Sequence, residues 1–83
     1  MATLESIEGD IVRLLSAKVE DDIALTPETK IVADTGLASV DVMDFIFELE
    51  DEFEIMVPMD RISDVKTVRQ LAEAIHGLIL EAA

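Results

Sequence analysis

Apolar residues recur along this chain at helical spacing in three long blocks, separated by polar and turn-forming connections. The first block holds Leu4, Ile7, Ile11, Leu14 and Leu15, with Glu5, Glu8, Asp10 and Arg13 on the opposite face. This spacing predicts a helix from about Leu4 to Ala17. Thr3 suits its N-cap and Glu5 its first turn. Gly9 costs about 1 kcal/mol relative to alanine but leaves the pattern intact.

The second block begins near Ser39 and ends before Pro58. At about 100° per residue, Val42, Phe45, Ile46, Leu49 and Phe53 form one stripe, the expected core face. Phe45, Ile46 and Phe53 are expected to be buried. Val40, Met43 and Phe47 form a second stripe more than about 100° round the helix. Asp44, Asp51 and Glu54 lie within or beside it. From the pattern alone that stripe is either more core, covered by a loop, or an exposed apolar patch among carboxylates.

The third block opens at Thr67. Thr67-Val68-Arg69-Gln70 fits a capping box, and Val68, Leu71, Ala72, Ile75 and Ile79 follow at helical spacing. Between the second and third blocks, Met59 to Val65 is expected to make one or two helical turns with Ile62 and Val65 inward. Ile55-Met56-Val57-Pro58 is short and apolar, but a lone strand there would have no partner. Residues 18 to 38 form a long connection. Asp21-Asp22 is polar, Thr26-Pro27 disfavours a helix, and Pro27-Glu28-Thr29 suits a turn. Ile23, Leu25, Ile31, Val32 and Leu37 are too many apolar residues for a free linker. The loop is expected to lie across the helices and cover the core.

Eighty-three residues read as one domain, 1–83, with a small core. Nineteen acids against six bases leave a net charge of −13. That weighs against nucleic acid and anionic lipid as partners, and favours proteins with basic patches. No apolar run is long enough for stable membrane insertion, and Met1-Ala2-Thr3-Leu4-Glu5 has no signal-like pattern. A cytoplasmic location and a monomer are the expectations. There is no cysteine, and the single histidine, His76, lies far along the chain from Ser39. The acidic run Glu48 to Glu54 lacks the glycine and alternating ligands of a calcium loop, so no metal site is assigned. No catalytic residue is assigned either.

What stands out is Ser39, after the turn-forming run Ala33-Asp34-Thr35-Gly36 and ahead of an acidic helix without lysine or arginine. A serine at a helix start is suited to an N-cap, and spacing alone does not separate a capping serine from a modified one.

Asp34-Thr35-Gly36-Leu37-Ala38-Ser39-Val40-Asp41, followed by Phe47-Glu48-Leu49-Glu50-Asp51-Glu52-Phe53-Glu54-Ile55 and Val57-Pro58, resembles the acyl carrier proteins. Val65-Lys66-Thr67-Val68 is similar to the start of that family's last helix. The resemblance covers nearly the whole chain. With the periodicity, it leads to an all-α four-helix bundle with a long first loop and a short third helix. It implies a carrier rather than an enzyme. Ser39 would receive 4′-phosphopantetheine from coenzyme A through a phosphopantetheinyl transferase. The arm's thiol would hold acyl intermediates as thioesters, for fatty-acid, polyketide or specialised lipid biosynthesis. The resemblance assigns partner contact to Val40, Asp41, Met43, Asp44, Phe47, Glu50 and Asp51. These would meet basic docking patches on acyl-loading, condensing and acyl-transfer enzymes.

Two positions depart from the family pattern. Ala38 stands where the family has aspartate before the serine, and Val40 where it has leucine or isoleucine. Ala38 removes a carboxylate where a metal-assisted transferase approaches, so a housekeeping synthase is expected to load this chain poorly. An aminoacyl or peptidyl carrier, and an acidic interaction bundle without a prosthetic group, are the alternatives.

Overall fold

The computed structural model describes residues 3–19 and 23–82. Met1 and Ala2 of the N-terminal run and the acidic pair Asp21-Asp22 of the long connection lie outside the described residues. Among the described residues four helices make up the regular structure: α1 (Leu4–Ser16), α2 (Ser39–Phe53), α3 (Met59–Ile62) and α4 (Val68–Ala82). The all-α bundle with a long first loop and a short third helix is thus present. Among the described residues the one extended pairing is an isolated antiparallel bridge between Lys30 and Thr67.

Helices α1 and α4 begin with reciprocal caps. The Thr3 hydroxyl accepts from the Ser6 N–H at 3.1 Å, and the Ser6 hydroxyl accepts from the Thr3 N–H at 2.9 Å. In α4 the Gln70 N–H donates to the Thr67 hydroxyl, and the Gln70 carbonyl oxygen accepts from the Thr67 N–H, both at 3.1 Å. The α4 box is the one the sequence predicts. The α1 box adds Ser6, a partner the pattern did not single out.

Helix α2 begins differently. Ala38 occupies the N-cap position and makes no side-chain cap. Ser39 is therefore the first helical residue, not the cap that its residue type favours. The helix ends at Glu54, whose backbone is left-handed (φ 54°) and whose N–H donates to the Glu50 carbonyl. Pro58 does not stop α2 directly; it takes the N-cap position of α3.

The core joins Ile7, Ile11 and Leu15 of α1, Phe45, Ile46 and Leu49 of α2, and Val68, Leu71, Ala72, Ile75 and Leu78 of α4. Phe45 and Ile46 are buried as expected, but Phe53 is half-buried, because it occupies the last turn of α2 where the packing thins. Val42, Ile62, Val65 and Ile79 are also half-buried against this core, and Leu78 joins it from outside the predicted stripe.

The long loop covers the core in part. Ile31 is buried, and Leu25 and Leu37 pack against the cluster, but Val32 is 53% exposed. The loop is tied to the start of α4. The Val68 N–H donates to the Thr29 carbonyl at 3.0 Å, and the Arg69 N–H to the Pro27 carbonyl at 2.8 Å. The Ile31 N–H in turn donates to the Lys66 carbonyl at 2.8 Å. The turn expected at Pro27-Glu28-Thr29 closes with a bond from the Thr29 N–H to the Thr26 carbonyl. At the loop's far end Gly36 takes φ +72°, a geometry glycine adopts without steric cost.

Two stability predictions follow from this packing. Phe45→Ala should cost about 3–5 kcal/mol, as buried phenylalanine truncations do. Exposed Phe47→Ala should stay within about 0.5 kcal/mol, and half-buried Phe53→Ala should fall between them. Denaturant unfolding of the three variants reads the order, and equal losses at positions 45 and 47 would contradict the packing. The missing cap gives the second prediction: Ala38→Asp should stabilise the fold by about 1 kcal/mol. A thermal melt with no increase would show that α2 gains nothing from a cap.

Candidate functional site

The loop delivers the chain to α2 through Gly36, Leu37 and Ala38, and Ser39 stands exposed in the first turn. With Ala38 as a cap without a side-chain oxygen, no side chain among the described residues bonds the first N–H groups of α2. Those donors and the positive end of the helix dipole lie at the same end of α2 as Ser39. In α4, by contrast, Gln70, Thr67 and two loop carbonyls engage all four leading N–H groups.

Ser39 lines a cleft of about 250 Å³, with Val32, Leu37, Val42, Met43 and Met59. Val32 and Val42 also line a second, larger cavity of about 340 Å³, between the loop, α2, α3 and the start of α4. Its walls include Ile31, Phe45, Ile46, Ile62, Val65 and Leu71. An apolar space therefore lies next to the serine and reaches towards the core. Periodicity did not reveal it, because two of its walls come from the loop and from the segment around α3. The signal available was the excess of apolar residues in the first loop.

The second stripe of α2 is mainly surface. Val40 is 66% exposed and Phe47 55% exposed, while Met43 is half-buried over the cleft. Asp41, Asp44 and Asp51 are exposed, and none is in an ion pair among the described residues. Glu50 is different. Its carboxylate accepts from the Val57 N–H at 2.8 Å, so it holds the α2–α3 connection in place. The structure thus sets Val40, Asp41, Met43, Asp44, Phe47 and Asp51 along α2 from its Ser39 end onward, and bonds Glu50 to the backbone of the α2–α3 connection.

Helix α1 and the residues just after it supply the cations that α2 lacks. Arg13 pairs with Glu52 at 3.0 Å, and Lys18 with Glu48 at 2.9 Å. The bond to Glu48 holds the Lys18 ammonium above its ordinary value against partial desolvation, with help from the charges of Glu48, Asp44 and Asp41. These pairs neutralise the α1 side of α2. His76 is half-buried in α4 and lines neither cavity beside Ser39, so no Ser–His pair forms. Among the described residues no three carboxylate or histidine side chains cluster as a metal site. Among the described residues no helix is long and apolar enough to cross a membrane.

Comparison with known proteins gives the same direction. A family model described as "Phosphopantetheine attachment site" matches residues 9–75. The chain is 35% identical over 94% of its length to a chloroplastic acyl carrier protein of Brassica napus, covering 56% of that protein. It is 29% identical over 93% of its length to an acyl carrier protein of Helicobacter hepaticus, covering 97% of it. It is 36% identical over 68% of its length to a probable acyl carrier protein of Caulobacter vibrioides, covering 65% of it. The chain spans a little over half the length of the plant relatives it matches. With the helical bundle and the family match over most of its residues, the chain belongs to the acyl carrier protein family of phosphopantetheine-attachment domains.

Proposed function

We propose that this chain, as one domain over residues 1–83, carries acyl intermediates as thioesters on a 4′-phosphopantetheine arm attached to Ser39. The observation that carries the reading is the placement of an exposed serine hydroxyl in the uncapped first turn of α2, at the mouth of an apolar cleft. Attachment makes a phosphodiester from the Ser39 Oγ and breaks the phosphoanhydride of coenzyme A. The hydroxyl proton leaves with the transferase's base, and adenosine 3′,5′-bisphosphate departs. The leading N–H groups of α2 suit the phosphodiester charge. When bound, the arm supplies the thiol that this cysteine-free chain lacks. The cleft and the cavity beyond it suit an acyl chain, because hydrocarbon removed from water gains about 0.8 kcal/mol per methylene.

Exposed Val40, Asp41, Asp44, Phe47 and Asp51, with Met43 at the cleft, form the face offered to partners. The partners are a phosphopantetheinyl transferase, then acyl-loading, condensing and acyl-transfer enzymes with basic patches. Exposed Ala38 offers no carboxylate to a metal-assisted transferase. We therefore assign loading to a transferase that does not depend on an aspartate before the serine. The working form is a cytoplasmic monomer.

Incubation with coenzyme A and a broad-specificity transferase should add one arm by intact mass. Ser39→Ala should add none while melting within about 0.5 kcal/mol of wild type, because Ser39 caps nothing. A housekeeping synthase should load the wild type more slowly than the broad enzyme does. An unmodified wild type across several transferases would remove the carrier reading. The docking face has its own test. Asp44→Lys with Asp51→Lys should slow association with a loading enzyme, and salt should weaken the wild-type complex. An association rate unchanged by the double substitution would place docking elsewhere.

A further inference from the structure

The chain holds six cationic side chains against nineteen acids, and four of the six are committed. Arg13, Lys18, Arg61 and Arg69 each pair with one or two carboxylates at 2.5–3.6 Å. Among the described residues Lys30 and Lys66 are the two cations in no ion pair, despite the excess of acid. Both line the 340 Å³ cavity, where every other lining side chain is apolar. Neither lines the cleft that contains Ser39.

Their placement together is built by the backbone. Lys30 bridges to Thr67, and the Ile31 N–H bonds the Lys66 carbonyl. The two lysines therefore lie where the loop meets the residues leading into α4, diagonal to each other across the bridge and on the rim of the same cavity. The nearby Asp34 carboxylate accepts from the Lys30 backbone N–H at 2.8 Å and forms no ion pair with the Lys30 ammonium. A cavity wall needs apolar stems, and lysine stems serve that purpose with the charge held in water. Stems alone do not account for a pair of unmatched charges at one place on a surface that is otherwise strongly negative. An anionic group is the complement of these two ammonium groups, on a surface that is otherwise mainly negative.

We infer that the cavity takes an acyl chain whose far end carries a carboxylate, with Lys30 and Lys66 receiving that carboxylate at the rim. The thioester end faces the Ser39 cleft, the methylenes lie among Phe45, Ile46, Ile62 and Leu71, and the ω-carboxylate meets the lysines. This inference rests on the carrier reading and names the class of cargo within it.

The test loads the full chain from octanoyl-coenzyme A or from the ω-carboxyl analogue suberyl-coenzyme A, using the broad transferase. Thioester half-life in hydroxylamine, followed by intact mass, reports shelter in the cavity. Suberyl half-life should fall about fivefold in Lys30→Gln/Lys66→Gln, as expected for losing exposed ion pairs. Octanoyl half-life should be unchanged in the same variant, and Lys30→Arg/Lys66→Arg should restore suberyl protection. Equal suberyl half-lives in wild type and the glutamine variant would overturn the inference. So would a parallel loss of octanoyl protection, which would make the lysines plain wall. Octanoyl shelter without suberyl shelter in wild type would sink this inference alone, whereas no loading at Ser39 would remove the carrier reading and this inference with it.

Discussion

The structure depends on two backbone hydrogen bonds from the start of α4 to the carbonyls of Pro27 and Thr29. The leading N–H groups of a helix have no partner within it, and burying them unpaired costs about 1–3 kcal/mol each. Here the long loop supplies half of the partners and the Thr67–Gln70 box the other half. The same attachment fixes where the loop lies. It sets Ile31 into the core, closes the turn at Thr26–Thr29 and buries Thr29 with its hydroxyl bonded to the Thr26 N–H. A connection of this length would otherwise lose much conformational entropy without return. Held this way, it becomes one wall of a cavity and carries the chain to Ser39.

The treatment of the helix starts divides structure from function. Threonine boxes close α1 and α4, and both helices serve mainly to build the core. Helix α2 opens on Ala38 and leaves its donors to solvent or to a ligand. Charge is divided in the same manner. Arg13 and Lys18 meet Glu52 and Glu48 on the side of α2 towards α1, while Asp44 and Asp51, beside Val40 and Phe47, form no ion pair among the described residues. Exposed pairs of this kind contribute at most about 1 kcal/mol each to stability. Their larger effect is to leave the negative field strongest on the other face, where it would attract a positively charged group.

The helices were legible because periodicity reports burial directly: Ile7, Ile11, Leu15, Phe45, Ile46, Leu49, Leu71 and Ile75 all fall where a 3.6-residue repeat puts them. The Thr67 box was legible because its two side chains are local partners. Ser39 failed as a cap because the backbone turns one residue earlier, and a cap preference does not bind when packing sets the turn. The burial of Phe53 was overstated, since a wheel gives direction but not how far the neighbouring layer extends. Glu50 shows the same limit. Its position on the helix suggests docking, and its bond to the Val57 N–H seven residues on gives it a structural contact that no helical wheel shows. The cavity and the pairing of Lys30 with Lys66 rest on contacts between distant segments, which no local pattern carries.

The cavity's walls are unequally held. The α2 and α4 sides are long helices packed through fully buried Phe45 and Leu71. The opposite side is α3, four residues long, with no fully buried side chain and half-buried Ile62 as its apolar anchor. A helix of that length has no stability of its own. Beyond this packing, the paired bonds from Arg61 to Glu81 fasten α3 to the end of α4, one of them at 3.1 Å. The bond holds the Glu81 carboxyl below its ordinary value and the Arg61 guanidinium above its own. The clasp is therefore present above the ordinary carboxylate range and is lost as pH falls through the lowered Glu81 value. Both partners are exposed, so the clasp positions α3 more than it stabilises the fold. Segments with few buried contacts open at the lowest cost. The wall beside the serine cleft is thus also the one that yields most readily, so the cavity can widen at α3 while the core between α1, α2 and α4 stays closed.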